Sequence, residues 1–387
     1  MMKKILILFF ISSFLFANEK DDLVLLPLKN EIKDLQIKSI NEKKEINKYE
    51  WLDDLNINLS QTKNNENITT KDYSLNFSQK VLDFGGIMAQ IDYSNYLFKQ
   101  EALKIQMDNF EELNSLYKNL IELKINDIDI EQNILNINNS EIEVNIKKSL
   151  YKNGQSNISD LNDAIMKKNS FEDSKMQLQL EKVKYENEIQ KLSSYQIPDI
   201  KIPKISMISK EIFLENATKK LYANLESKVT QSTYQKTKSD YLPSFKINAT
   251  VGIEDSKEIK NEDYYYSYGA AIVMPLSYTS SNNIEYSKLV YLQNIKKENL
   301  VQIELEKTYQ TFLETIKQFE NRINLALNDI KLFEELLQLN QEEFQAGFKA
   351  IEDVQTLKNS KKIRTLDIEK YKLNIQKELL ALYFQII

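Results

Sequence analysis

Six glycines and five prolines serve all 387 residues of this chain, and their placement limits what it can fold into. These are the residues that most readily end a helix or redirect the backbone. From Ile87 to Asn153, and again from Leu276 to Ala346, neither occurs. Within the first stretch apolar residues recur three and four apart, as Phe110, Leu113, Leu116, Tyr117 and Leu120 do, which predicts a continuous helix. A helix of that length would extend about 100 Å.

Both stretches stop at nearly the same sentence. YKNGQSNISDLNDA (Tyr151 to Ala164) and FQAGFKAIEDVQTL (Phe344 to Leu357) place Gly154 and Gly347 where a left-handed residue closes a helix. Ser159 or Asp160 in the first copy, and Glu352 or Asp353 in the second, then supply capping or acidic groups to the first turn of a following, shorter helix. Each sentence therefore encodes a tight turn between antiparallel helices.

Upstream of each long helix the period changes from helical to two. Leu55, Ile57 and Leu59 alternate with Asn56, Asn58 and Ser60, and Tyr73, Leu75 and Phe77 alternate with Ser74, Asn76 and Ser78. The second half repeats this with Phe245, Ile247, Ala249 and Val251, and with Tyr266, Tyr268, Ala270, Ile272 and Met274. Such alternation predicts strands, with the polar Gln61 to Asp72 segment as the connection of the first hairpin. WLDDLNINLS aligns with YLPSFKINAT and KVLDFGG with MPLSYTS, so the chain is an internal duplication.

The resulting plan is a signal segment (1–17), an N-terminal helical segment (18–50), a β-hairpin (51–82) and a long helical hairpin (83–194) with its turn at 151–158. A linker containing Pro198 and Pro203 (195–207) leads into the second copy: a short helix (208–240), a β-hairpin (241–276) and a long helical hairpin (277–387) with its turn at 344–351.

Composition removes several function classes. Histidine and cysteine are both absent, which excludes the usual zinc sites, Ser-His-Asp and Cys-His catalysis, and disulfides. The Glu and Lys residues recur at helical spacing and read as solvated faces, so the chain is read as no enzyme, without cofactor or metal. A net charge of -6 with interspersed signs argues against a nucleic-acid partner.

Lys3 and Lys4 precede an apolar run from Ile5 to Phe16, the layout of a secretory signal with cleavage after Ala17. The other reading is a retained anchor, for which that run is short. Beyond it, no run of eighteen apolar residues occurs. Residence in a membrane would then require a β-barrel. Four strands cannot close one, so several chains would have to share it. Trp51, Phe84, Tyr241, Tyr264, Tyr265, Tyr266 and Tyr278 cluster near the strand ends, where they would suit interfacial girdles. The alternative is that they pack in a soluble sheet.

The duplicated plan resembles the TolC-like outer-membrane efflux proteins. The residues that carry the likeness are YLPSFKI and MPL before the second long helix, VLDFGG before the first, and the paired Y-x-x-G and F-x-x-G turns followed by I-x-D. The likeness covers nearly the whole mature chain. It implies a mainly α chain with a small β part. The duplicated long α-hairpins would form a periplasmic α-barrel, and four strands per chain would join a shared 12-stranded transmembrane β-barrel in a homotrimer. Function would be that of a passive exit duct in a tripartite efflux or type I secretion system, with a periplasmic adaptor and an inner-membrane transporter as partners.

On the same resemblance, Gly154, Gln155, Ser156 and Asn157, with Gly347, Phe348, Lys349 and Ala350, are adaptor-docking turns. Asp353 takes the place of an aspartate lining the periplasmic constriction, and Asp160 and Lys349 form a gating link. Two positions depart from the family: Thr356 stands where some members carry a second aspartate, and Lys349 stands where a gating arginine is found. The competing readings are a periplasmic coiled-coil adaptor, which would show one hairpin between two β-rich halves, and a structural coiled-coil protein, which would not need four alternating strands.

Overall fold

The computed structural model describes residues 24–65, 68–256 and 263–386; the signal expected over 1–17 lies outside them. Among these residues the chain is mainly helical with one small antiparallel sheet, the fold class that the two periodicities imply. The order is α1 (Pro27–Tyr49), β1 (Asn56–Lys63), β2 (Thr69–Leu82), α2 (Gly86–Lys152), α3 (Ile158–Gln190), α4 (Lys210–Asn216), α5 (Thr218–Ser239), β3 (Ser244–Ser256), β4 (Asp263–Val273), α6 (Ser280–Gln345) and α7 (Ile351–Tyr383). The duplication is visible in the lengths: α2 and α6 have 67 and 66 residues, and α3 and α7 have 33 each.

Three boundaries differ from the sequence reading, each for a local reason. The segment 61–72 is mostly strand: Lys63 pairs with Thr69, so the connection of the hairpin is only Asn64 to Ile68. Ladder bonds are made by backbone, and a sheet solvated on one face accepts polar side chains without ending. Helix α6 starts at Ser280 rather than beside Leu276, after a turn in which Ser277 Oγ accepts from Thr279 N–H (3.3 Å) and Ser277 O from Ser280 N–H (3.2 Å). The helix expected over 208–240 is two helices, interrupted at Ala217, whose ψ of 121° is not helical.

The chain forms two compact units. One contains the described residues to Ile32, Met107–Asn216 and those from Leu305 onward; the other contains Lys33–Gln106 and Ala217–Glu304. The first unit holds the larger core. Leu113, Leu116, Leu120 and Ile121 of α2 are buried with Leu25, Ile189, Ile200, Leu380 and Phe384. The ring of Phe384 lies 6.0 Å from those of both Tyr117 and Phe110. Burial of each such side chain contributes roughly 1.5–3 kcal/mol. Two bonds to backbone carbonyls add to this packing: Leu26 N–H donates to Leu192 O (2.9 Å), and the Gln376 side chain donates from Nε2 to Pro203 O (3.1 Å).

Polar rungs set the register of the antiparallel helices in this unit. Between α2 and α7, Lys377 meets Glu122 (2.8 Å), Gln132 Nε2 donates to Asp367 Oδ1 (2.9 Å) and Asn359 Nδ2 donates to Asn139 Oδ1 (2.7 Å). Within the helical hairpins, Lys182 pairs with Asp127 (2.7 Å) and Lys361 with Glu334 (2.9 Å).

In the second unit the strands lie in the order β1-β2-β3-β4, all antiparallel. A register shift between Lys80 and Leu82 marks a bulge opposite the start of β3. Helix α2 is launched there by Asp83, whose Oδ1 accepts from Ile87 N–H (3.0 Å), satisfying one of the free amides of the first turn.

Candidate functional site

Because side chains alternate along a strand, the register sorts the whole sheet into two faces. Ile57 pairs with Leu75, and Leu75 with Val251, and Val251 with Tyr266. Leu59, Tyr73, Ile253 and Tyr264 form the next row, and Phe77, Ala249 and Tyr268 lie on the other side. One face is therefore apolar across all four strands. Among the described residues it is not covered: Ile57 is 74% exposed, Tyr266 78%, Tyr268 84% and Ile272 77%. Soluble monomers rarely expose a contiguous apolar face of this extent, and such a face marks a surface that meets a partner or a membrane.

The opposite face is polar and cross-linked by hydrogen bonds. Thr250 Oγ1 donates to Asn76 Oδ1 (2.9 Å), and Ser74 Oγ donates to Asp72 Oδ1 (3.1 Å). Tyr265 donates its hydroxyl to Asp72 Oδ2 (2.5 Å). Charge is segregated along this face. Asp72 pairs with Glu254 and Glu254 with Asp263 toward the hairpin turns, whereas Lys80 pairs with Lys246 at the helix-proximal end. Among the described residues, the outer edges of β1 and β4 have no strand beside them.

The aromatic residues singled out in the sequence do not all share one environment. Tyr264 and Tyr266 stand on the apolar face, and Tyr268 belongs with them. Tyr265 has the opposite parity and lies on the polar face, so it is no part of an apolar girdle. Phe84, at a positive φ of 53°, and Tyr278 are exposed just outside the strands. Trp51 is half-buried, its carbonyl accepting from Gln79 Nε2 (3.1 Å). The hydroxyl of Tyr241 accepts from Asn283 Nδ2 (2.7 Å).

The two helical turns are built alike. Gly154 and Gly347 have φ of 72° and 82°. In the first turn, Gln155 N–H donates to Leu150 O and Gly154 N–H to Tyr151 O; in the second, Phe348 N–H donates to Glu343 O and Gly347 N–H to Phe344 O. These are paired Schellman closures, which satisfy the last carbonyls of α2 and α6. The following helices start differently. Asn157, rather than Ser159 or Asp160, caps α3 by accepting from Asp160 N–H (2.8 Å); its extended backbone aims the side chain at that amide. Ala350 begins α7 without a side-chain cap, leaving Glu352 and Asp353 to meet the helix dipole.

The gating residues are not brought together in the single chain. Ser156 Oγ donates to Asp160 Oδ2 (2.7 Å), while Lys349 and Asp353 are exposed on the other turn. Beside Gly347 the Phe348 side chain is 82% exposed. Thr356 turns its hydroxyl back to Glu352 O (2.9 Å), so it presents no ring of charge.

Among the described residues no helix is long and apolar enough to cross a membrane. No family model matches the sequence, and no curated relative does. Solved structures do match. The outer membrane protein VceC of Vibrio cholerae is 14% identical, with a TM-score of 0.74 over 92% of this chain and 93% of that one. The outer membrane channel CmeC of Campylobacter jejuni is 13% identical, with a TM-score of 0.72 over 93% and 83%. The MtrE outer membrane channel of Neisseria gonorrhoeae is 12% identical, with a TM-score of 0.64 over 92% and 85%. Shared over nearly the full length at such low identity, what the chain has in common with these proteins is its architecture: it adopts the TolC-like fold.

Proposed function

We propose that the chain is one third of a trimeric exit duct in the outer membrane of a Gram-negative bacterium. The observation that carries this reading is the exposed apolar face spanning all four strands and backed by a hydrogen-bonded polar face. Lipid on one side and a water-filled bore on the other satisfy both faces at once. Open edges at β1 and β4 would leave unpaired backbone in hydrocarbon. Pairing β4 of one copy with β1 of the next removes them, and three copies close a 12-stranded barrel.

The structural neighbours named above are described as an outer membrane protein and outer membrane channels, and that setting fits the same reading. Two helical hairpins per chain then line a periplasmic tunnel. Their turns, Gly154 to Asn157 and Gly347 to Ala350, receive an adaptor, with exposed Phe348 as the apolar contact. Asp353 lines the mouth, and Asp160 and Lys349 link the hairpins when the tunnel is shut. The duct is passive; an inner-membrane transporter supplies the energy. A periplasmic adaptor is disfavoured, because this chain has two long helical hairpins and only four strands among its described residues.

Cross-linking of detergent-extracted protein tests the assembly, and protease attack on the Asn64 to Thr69 connection in intact cells tests the orientation. A three-chain species and surface cleavage are expected. A monomer released from the cell envelope by salt would overturn the reading.

A further inference from the structure

On the polar face, Gly252 of β3 stands between Ser74 of β2 and Tyr265 of β4 in one row of the register. Gly252 is not among the residues of positive φ, so its backbone does not require glycine. Space does. A Cβ at this position would lie 2.5–2.8 Å from the Tyr265 ring. The phenol thus lies across β3 in the place the missing side chain leaves, and its hydroxyl reaches β2, donating to Asp72 Oδ2 at 2.5 Å. Ser74 is only 7% exposed, although Asn58 and Ser267, also on the polar face, are exposed. The bond to Asp72 further relieves a row of like charges, Asp72, Glu254 and Asp263, set side by side across three strands.

We propose that Tyr265 is a strap laid flat on the polar wall, held by the gap at Gly252 and the carboxylate of Asp72, and that lifting it narrows the bore. This rests on the reading that the polar face lines the duct. Three straps, one per chain, would surround the bore near its acidic row. A ring held down leaves the passage clear. A ring forced up projects an aromatic side chain into it from each of the three chains.

The absence of cysteine from the chain makes the placement directly testable. Single cysteines introduced as Ser74→Cys and Asn58→Cys in the full-length detergent-extracted protein are reacted with a small water-soluble methanethiosulfonate. Ser74→Cys should react about tenfold more slowly than Asn58→Cys, as expected when a charge-assisted hydrogen bond must open first. Adding Tyr265→Ala should bring the two rates together. Equal rates in the otherwise native chain, or a slow rate that persists in Tyr265→Ala, would overturn the strap. Conductance in planar bilayers tests its consequence. Gly252→Val should lower single-channel conductance, and Gly252→Val with Tyr265→Ala should restore it. Native conductance in Gly252→Val, or loss that Tyr265→Ala does not repair, overturns the occlusion. No conductance from the native trimer or from the trimer carrying both Asp160→Ala and Lys349→Ala would remove the duct reading and the occlusion with it, while the labelling rates still decide where the ring lies.

Discussion

Ala249 lies midway along the apolar row of β3, with Phe245 and Ile247 on one side and Val251 and Ile253 on the other, and its register partners are Phe77 and Tyr268. If this face meets lipid, Ala249→Arg puts a guanidinium near the bilayer midplane. That costs roughly 2–4 kcal/mol per chain and falls to about 0–1 kcal/mol near the interface. In water the same change on a surface strand would stay within about 0.5 kcal/mol. At about 1.4 kcal/mol per tenfold, the membrane case lowers the folded-to-unfolded ratio by roughly thirty-fold to several-hundred-fold.

Asn248→Arg, one residue earlier on the same strand, is the matched control because it turns toward the polar face. Ile253→Arg, at the end of the apolar row, should be milder than Ala249→Arg. Denaturant titration of the protein refolded into lipid vesicles measures all three. The expected order of loss is Ala249→Arg well above Ile253→Arg, with Asn248→Arg near the native chain. Indistinguishable midpoints for Ala249→Arg and Asn248→Arg, or a larger loss in Asn248→Arg, would refute the assignment of the two faces.

Other expectations concern the helical unit. Asp353→Asn should reduce cation preference, read as a shift in reversal potential under a salt gradient; an unchanged potential would leave Asp353 only a helix-start residue. Lys349→Ala, Asp160→Ala and the double substitution should raise resting conductance equally if the two groups form one link. An exposed pair contributes roughly 0.2–1 kcal/mol, so even three links opening together amount to at most about 3 kcal/mol, and native conductance in all three variants would exclude the link. Burial holds the Glu378 carboxyl above its ordinary range, against the opposing pull of Lys377 and Lys118. The native state therefore binds this proton more tightly than the unfolded chain, and stability contributed by the protonated form is lost as pH rises through the raised range. Glu378→Gln should raise the thermal midpoint at pH 7, with the gain fading as pH falls below the ordinary carboxylate value of 4.5; a gain independent of pH would assign the effect to packing.

The long helices, their turns and the alternating strands were legible because each depends on neighbours within a few positions. Gly154 and Gly347 announce their turns, and the parity of FKINATV announces a face. What the sequence hid was non-local or backbone-borne. The extent of β1 and β2 past Gln61 and Asp72 depends on ladder bonds that polar side chains do not advertise. Tyr265 reads as one more aromatic in a run of three until strand parity turns it to the polar face. Its partner Asp72 is 193 positions away and joins it only through β3. Asn157 carries a capping side chain as plainly as Ser159 does, and only the extended backbone at 157 decides between them.

The seam between α2 and α7 shows why so polar a sequence still specifies one alignment over its length. Asn126, Asn133 and Ser140 recur every seven residues on α2 and are all buried, and among the described residues the side-chain carbonyls of Asn126 and Asn133 have no hydrogen-bond partner. Leucine at these positions would pack tightly, but an apolar stripe is compatible with sliding by a heptad. A buried asparagine costs stability and penalises the wrong register more than the right one. The rungs at Glu122, Asp129 and Gln132, facing Lys377, Lys370 and Asp367, act in the same direction. The two ion pairs among them are partly exposed, and exposed ion pairs contribute no more than about 1 kcal/mol each. Strength for this unit therefore comes from the apolar cluster around Leu116, Ile189, Leu380 and Phe384, while the polar seam supplies alignment. Alignment is what carries a turn at Gly154 and a turn at Gly347 into matching positions along their hairpins, and an error of one heptad would displace a turn by about 10 Å.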